Sequence, residues 1–289
     1  MRIGRTVAFL CALLWSSSQL HADARLAIII DDIGYNQSQS ERAARLNGAF
    51  TLSVLPFTPH GISTAQLAHQ QGKELMLHAP MSNLKNMPLG LGGLVTGMDK
   101  TAFITTLRKD LDNIPYIKGV NNHMGSRLTQ EPEPMQWLMD ELNSRKLYFV
   151  DSRTSAQTRA FDIARASKVP SLKRDVFLDD VEETSAIEQQ LKRALQLARQ
   201  HGSAVAIGHP YPTTLSVLEQ IQPLLDQEQV QLVYASQLLP KSLAISAPEP
   251  STNGSSYCPV PRTFLLDDLQ TNVDLYDITD MMLSGFFGY

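Results

Sequence analysis

Cysteine is almost missing from this 289-residue chain: Cys11 and Cys258 are the only two. Cys11 falls in an N-terminal stretch that reads as a removable signal. The mature chain then keeps one thiol and no internal disulfide, so packing must hold the fold even in an oxidising compartment. Cys258 lies in a Pro/Ser-rich stretch and reads as a free or intermolecular thiol rather than a catalytic one. Long apolar runs are also missing. After residue 22 nothing approaches the roughly 20 apolar residues that a transmembrane helix needs. Nor is there a basic patch. With 25 Lys and Arg against 29 Asp and Glu, the formal net charge is -4, which excludes the electrostatic footprint of a nucleic-acid-binding protein. No internal repeat is present.

The two ends carry their own signals. Arg2 and Arg5 precede an apolar core from Val7 to Trp15, and small residues lead to Ala22-Asp23-Ala24. That pattern predicts a secretory signal over residues 1–22 and a periplasmic or secreted protein. An uncleaved anchor is the alternative. Removing Arg2 and Arg5 shifts the formal charge from -4 to about -6. Residues 23–240 read as one large domain. Residues 241–289 read as a Pro/Ser-rich linker and an acidic tail, either a flexible arm or a segment that docks an envelope partner.

Within 23–240, short apolar runs alternate with helical periodicity. Strands are expected at Leu26–Ile30, Phe50–Leu55, Glu74–His78, Gly119–Asn122, Leu147–Val150, Val169–Leu172, Ala204–Ile207 and Gln231–Tyr234. Helical stripes recur at Phe103/Leu107/Leu111, at Met135/Leu138/Leu142 behind Pro134, at Ile187/Leu191/Leu195/Ala198, and at Leu218/Ile221/Leu225. Ser185 and Glu188 fit a capping box for the third stripe. Strand then helix, about seven times over, predicts an α/β fold with a parallel sheet, most simply a closed or nearly closed barrel. In a barrel, chemistry collects at the carboxyl ends of the strands.

Those ends are where the polar residues fall. The first strand runs Ile28-Ile29-Ile30-Asp31-Asp32-Ile33-Gly34. Two ionised carboxylates after a buried strand are costly unless something neutralises them. One Asp there reads as a helix cap. Two, with histidines after other strands, read as a site. The third strand delivers His78, the fourth His123 with Asn122, Ser126 and Arg127 nearby, the fifth Asp151, and the seventh His209. One Asp and two His are a natural shell for zinc with a position left open. A second Asp nearby serves as base and a third His as acid, which together hydrolyse an amide or ester.

The residues Ile30-Asp31-Asp32-Ile33-Gly34, Leu77-His78-Ala79-Pro80-Met81, Asn121-Asn122-His123-Met124-Gly125-Ser126, Phe149-Val150-Asp151-Ser152, Phe177-Leu178-Asp179-Asp180 and Ile207-Gly208-His209-Pro210 resemble the divergent polysaccharide deacetylases, a branch of the carbohydrate esterase superfamily. The resemblance covers residues 25 to about 240. It implies a distorted (β/α)7 barrel, a divalent metal such as Zn2+, and a polysaccharide or oligosaccharide substrate. It further implies Asp31 as the catalytic base, Asp32 and His78 as metal ligands, and His209 as the catalytic acid. The family's His-x-x-x-His motif would place its second ligand at Ser82. Its loss leaves His123, on the neighbouring strand, to complete the metal set.

Asn122, Ser126, Arg127 and Asp151 are expected to bind or orient substrate. For Arg127, orienting Asp31, meeting a substrate carboxylate and pairing with a surface acid stay open. Asp179-Asp180 read as a loop ahead of a helix. The rival function is a catalytically silent carbohydrate-binding or envelope-interaction protein that kept the barrel. A haloacid-dehalogenase-type phosphatase is excluded, because Ile33 stands where its Asp-x-Asp spacing needs an acid.

Overall fold

A computed structural model describes residues 24–240. The expected signal over 1–22, Cys258 and the acidic tail lie outside the described residues. Seven parallel lanes form the barrel. β1 (Ala24–Ile33), β2 (Thr51–Val54), β3 (Glu74–Met81), β4 (Ile117–Met124) and β5 (Tyr148–Asp151) pair in sequence order, and β8 (Ser203–Gly208) pairs with the other side of β1. The seventh lane is split. β6 (Ser171–Lys173) bonds β5, and β7 (Val176–Phe177) bonds β8. Only Arg174 and Asp175 separate them, and their N–H groups donate to Asp151 and Val205 carbonyls on the two flanks. One extended segment thus spans the ring, and the expected (β/α)7 barrel closes by chain continuity.

The expected last strand takes no place in that ring. β9 (Val230–Val233) adds in parallel to the first residues of β1. The short helical turn after it, Ala235–Leu238, sits at the amino-terminal floor, where Ser236 and Ala235 bond Glu74 and Thr51. Tyr148 donates its hydroxyl to Glu74 and lies against Gly119, where any Cβ would fall 2.6 Å from the ring.

Strand alternation divides the core in two. Ala27, Ile29, Met76, Tyr148, Val150, Val205 and Ile207 fill the barrel interior. Leu26, Ile28, Ile30, Leu52, Val54, Leu75, Leu77, Val120 and Phe149 face the helices. A parallel sheet covered on both faces reads as the continuous apolar runs seen in the sequence.

The helices are α1 (Gln37–Ala44), α2 (Gly61–Gln70), α3 (Lys100–Asn113), α4 (Pro132–Ser144), α5 (Ala160–Ala166), α6 (Thr184–His201), α7 (Pro212–Leu218) and α8 (Gln222–Glu228). α1 left no stripe because it buries only Ser40, Ala43 and Ala44. The expected capping box fails: Ser185 lies inside α6, whose cap residue is Glu183 with no side-chain bond. The Leu218/Ile221/Leu225 stripe is cut into two helices, with Pro223 in the first turn of the second.

One buried acid in α3 has a measurable consequence. Asp110 is fully buried and neither carboxylate oxygen has a hydrogen-bond partner. Gly92 packs so closely that a Cβ there would fall 2.4 Å from Oδ1. Burial pushes the carboxyl up to about 8. A folded-state pKa above the unfolded value stabilises fully below the unfolded pKa, and that stabilisation is lost as pH rises through the folded one. Asp110→Asn is therefore expected to stabilise the fold by ~1–3 kcal/mol at pH 8–9 and to change little near pH 4. Thermal unfolding of both proteins across that range checks it; a difference that does not vary with pH refutes it.

Candidate active site

Alternation along β1 sends Ala27, Ile29 and Asp31 inward. The next residue would point at the helices, but the chain is bulged between Ile30 and Ile33 and Asp32 takes φ 56°. A left-handed backbone at a non-glycine residue costs of order 1–3 kcal/mol and marks functional sites. Here it turns Asp32 towards the same mouth as Asp31. Gly34, at φ 129°, lets the chain leave: a Cβ there would meet the Thr58 hydroxyl at 2.0 Å.

Three strands bring ligand atoms together. Asp32 Oδ1 lies 3.1 Å from His78 Nε2 and 2.9 Å from His123 Nδ1, and the two nitrogens stand 3.2 Å apart. Around a four-coordinate zinc with bonds of ~2.0–2.1 Å at tetrahedral angles, neighbouring ligand atoms stand ~3.3 Å apart. The triangle has nearly that size. Asp32 Oδ1 is buried and, despite both close nitrogens, has no aligned hydrogen bond. One carboxylate and two imidazoles with an orphaned oxygen between them fit a divalent cation. Ser82 is elsewhere, its hydroxyl accepting from Thr96 N in the loop after β3.

Asn121 organises this cluster, and sequence reasoning missed it. Its Oδ1 accepts from Ser53 Oγ at 2.6 Å and lies 2.7 Å from His78 Nδ1, while its Nδ2 donates to Asp31 Oδ1 at 2.7 Å. A carbonyl oxygen at His78 Nδ1 places the proton on that nitrogen and leaves the Nε2 lone pair for a metal. The same amide holds Asp31, whose Oδ2 is 3.7 Å from His78 Nε2.

The electrostatics divide the two aspartates. Burial raises the Asp31 pKa, with the charges of His78 and His209 and the Asn121 amide opposing it. Burial also disfavours charge on Asp32, but the adjoining His123 and His78 outweigh it and hold that carboxyl well below its usual range. His78 is raised: burial opposes its charge, and Asp31 and Asp32 overcome it. Environments that push neighbouring carboxylates apart suit one as base and the other as ligand.

On the neighbouring strand β8, just past Gly208, stands His209, with Nε2 3.9 Å from Asp32 Oδ2. Asp179 Oδ1 lies 2.9 Å from its Nδ1, and Asp179 Oδ2 accepts from the His209 N–H at 2.6 Å and from Thr214 Oγ1 at 2.8 Å. Burial works against charge on His209, yet Asp179 and then Asp32 and Asp31 lift its pKa to about 10. Asp179, expected to be part of a loop, is thus buried beneath the histidine and orients it. A carboxylate two residues past β7, beside a strand followed directly by His209, was the available signal.

Of the residues expected to contact substrate, Asn122 and Asp151 face away from the barrel interior, and Ser126 lies in a loop contact. Asn122 faces away from the interior, donating to Met124 O and accepting from Ser152 N. Asp151 is fully buried on the helix side; its oxygens accept from Arg153 N, Thr158 Oγ1 and Phe161 N and pin the loop to α5. Both share the parity of outward residues Val120 and Phe149. Ser126 accepts from Leu84 N and fastens the loop after β3. Arg127 pairs with neither Asp31 nor any other acid among the described residues, and its buried Nε has no hydrogen-bond partner.

Comparison with known proteins follows this geometry. A family model described as divergent polysaccharide deacetylase matches residues 28–239. The chain is similar to the uncharacterized protein YibQ of Escherichia coli K12, with 38% identity over 264 residues covering 88% of this chain and 82% of the relative. An uncharacterized protein of Haemophilus influenzae is 36% identical over 213 residues, covering 74% of this chain and 75% of its own. Among solved structures, the uncharacterized protein ATU2773 of Agrobacterium tumefaciens C58 superposes with a TM-score of 0.72 at 25% identity, covering 78% of this chain and 91% of that one.

Proposed function

Because the chain belongs to the divergent polysaccharide deacetylase family, we propose that it is a metal-dependent hydrolase that removes an acyl group from a polysaccharide or oligosaccharide of the cell envelope. The observation that carries this reading is the 2.9–3.2 Å triangle of Asp32, His78 and His123, with Asp31 3.7 Å from His78 and His209 3.9 Å from Asp32. The signal read in the first 22 residues supports action outside the cytoplasm.

Asp32, His78 and His123 would hold the cation. When bound, a divalent cation at this place supplies Lewis acidity, lowering the pKa of water and polarising an acyl carbonyl. Asp31 is nearly buried, fixed by Asn121 and raised in pKa, so it takes the proton of the attacking water as the new C–O bond forms. His209 is held protonated by Asp179 and donates that proton to the departing sugar nitrogen or oxygen as the acyl bond breaks. Water is consumed, and the acid and the freed amine or alcohol leave.

Elemental analysis of protein purified without a histidine tag, alongside acetate release from acetylated oligosaccharides, tests the reading. About one equivalent of metal is expected. Asp32→Ala and His123→Ala are each expected to lose both the metal and the acetate release. Full metal loading in His123→Ala removes that residue from the ligand set. No metal at any pH above 7 with glycan binding intact replaces the enzyme with the silent carbohydrate-binding alternative.

A further inference from the structure

The β4–β6 side of the mouth carries three guanidinium groups that the chemistry above does not use. Arg127 and Arg153 follow β4 and β5, and Arg174 bridges β6 and β7. Their loops are knitted together: Thr154 Oγ1 donates to Met124 O, Gln130 Nε2 lies within reach of both Ser126 O and Ser155 Oγ, and Arg159 N donates to Thr129 O. Arg174 is immobilised, its Nε donating to Ser152 O at 2.6 Å and its Nη2 to Arg153 O at 2.9 Å.

The guanidinium of Arg174 lies 3.6 Å from the centre of the Phe177 ring, and the His209 ring is stacked near the same ring, with centroids 6.3 Å apart and planes 21° apart. The Phe177 ring thus neighbours both a fixed positive charge and the proposed acid. Arg153 is exposed and held at φ 51°, and its charge acts on Arg174. Within 4 Å of any of the three guanidiniums there is no carboxylate among the described residues. Asp151 Oδ2 accepts from Thr158 Oγ1 and Asp175 Oδ2 from Val205 N, and these two carboxylates and exposed Asp180 act on Arg174 without pairing with it. Arg127 keeps a buried Nε with no hydrogen-bond partner.

Guanidinium groups on adjoining loops with no carboxylate at ion-pairing distance, one of them with a buried Nε that has no partner, match a planar oxyanion better than a neutral sugar. We propose that Arg127, Arg153 and Arg174 form an anion subsite, and that the substrate is an acidic glycan whose carboxylate docks there while its acyl group lies at Asp31 and His209. This deepens the hydrolase reading and rests on it for where the acyl group sits.

The test is calorimetric binding to the metal-loaded Asp31→Asn protein, which needs no turnover. The probes are a tetrasaccharide alternating N-acetylglucosamine with hexuronate and its methyl ester, which has the same shape without the charge. The acid is expected to bind about ten-fold more tightly than the ester, with a preference that shrinks as salt rises. Adding Arg127→Gln and Arg153→Gln together is expected to bring the ratio below about two, with metal content retained as the check on folding. Equal affinity for acid and ester, no binding of the acid, or a preference that survives both substitutions overturns the subsite. If the preference holds but wild-type protein releases no acetate from any glycan, the hydrolase reading fails and the subsite stands. Equal acetate release from acid and ester overturns the subsite and leaves the hydrolase reading intact.

Discussion

Asp31→Asn is expected to lower acetate release by about 10³-fold, inside the range of 10²–10⁴ that a positioned general base contributes, while metal content stays at the wild-type level. The substitution is nearly isosteric. Asn keeps an oxygen for Asn121 Nδ2, which now donates to Asp31 Oδ1 at 2.7 Å, so the Ser53–Asn121–His78 chain survives. What disappears is a carboxylate that can take a proton. Its raised pKa makes it a stronger acceptor than an exposed aspartate, and its 2% exposure keeps bulk water from standing in for it. Parallel measurement of metal and turnover separates the roles of the two aspartates. Turnover within ten-fold of wild type excludes Asp31 as base; loss of metal makes it a ligand.

Asp179→Ala should do comparable damage through His209, and it should do so selectively. Removing the carboxylate takes one partner from the His209 ring, one from its backbone N–H and one from Thr214. The imidazole loses the main contact that lifts its pKa to about 10, so it is less charged at neutral pH and free to turn. Deacetylation of an amide, whose nitrogen leaves only when protonated, is expected to fall by ~10²–10³. Hydrolysis of a 4-nitrophenyl ester needs no such proton and should fall by less than about ten-fold. Equal losses on both substrates leave His209 a structural role alone.

The same pair carries a stability signature. A histidine whose folded pKa exceeds its unfolded value stabilises fully below the unfolded pKa of about 6.5, and that contribution is gone once pH passes about 10. The destabilisation of Asp179→Ala should therefore be largest in mild acid and shrink as pH rises towards 10.

Much of the site was legible before any coordinates. A β-branched run ending in Asp-Asp and three histidines at strand ends identify the mouth, because a parallel sheet puts all carboxyl ends on one side. The errors are errors of facing. Asn122 was chosen over Asn121, and Asp151 was placed at the mouth, although a two-residue period gives Asn122 the face of Val120 and Asp151 the face of Phe149. That rule works within a regular strand but breaks at the rim, where Asp32 at φ 56° and Met124 at φ 52° interrupt the alternation. For Asp179 the sequence offers a place after a strand but not the partner. Its partner lies 30 residues away, and only the split lane from β6 to β7 brings the two together.

The chain's own residues determined the class of fold and the gathering of carboxylates and histidines at strand ends, since these depend on composition and on periodicity within single segments. Three things were decided only by tertiary structure: which histidine joins Asp32 and His78, which amide fixes Asp31, and which acid serves His209. Each is a contact of 2.6–3.2 Å between segments 30 to 91 residues apart. Such contacts exist only once closure of the ring sets the register and the bulges turn the last side chains inward.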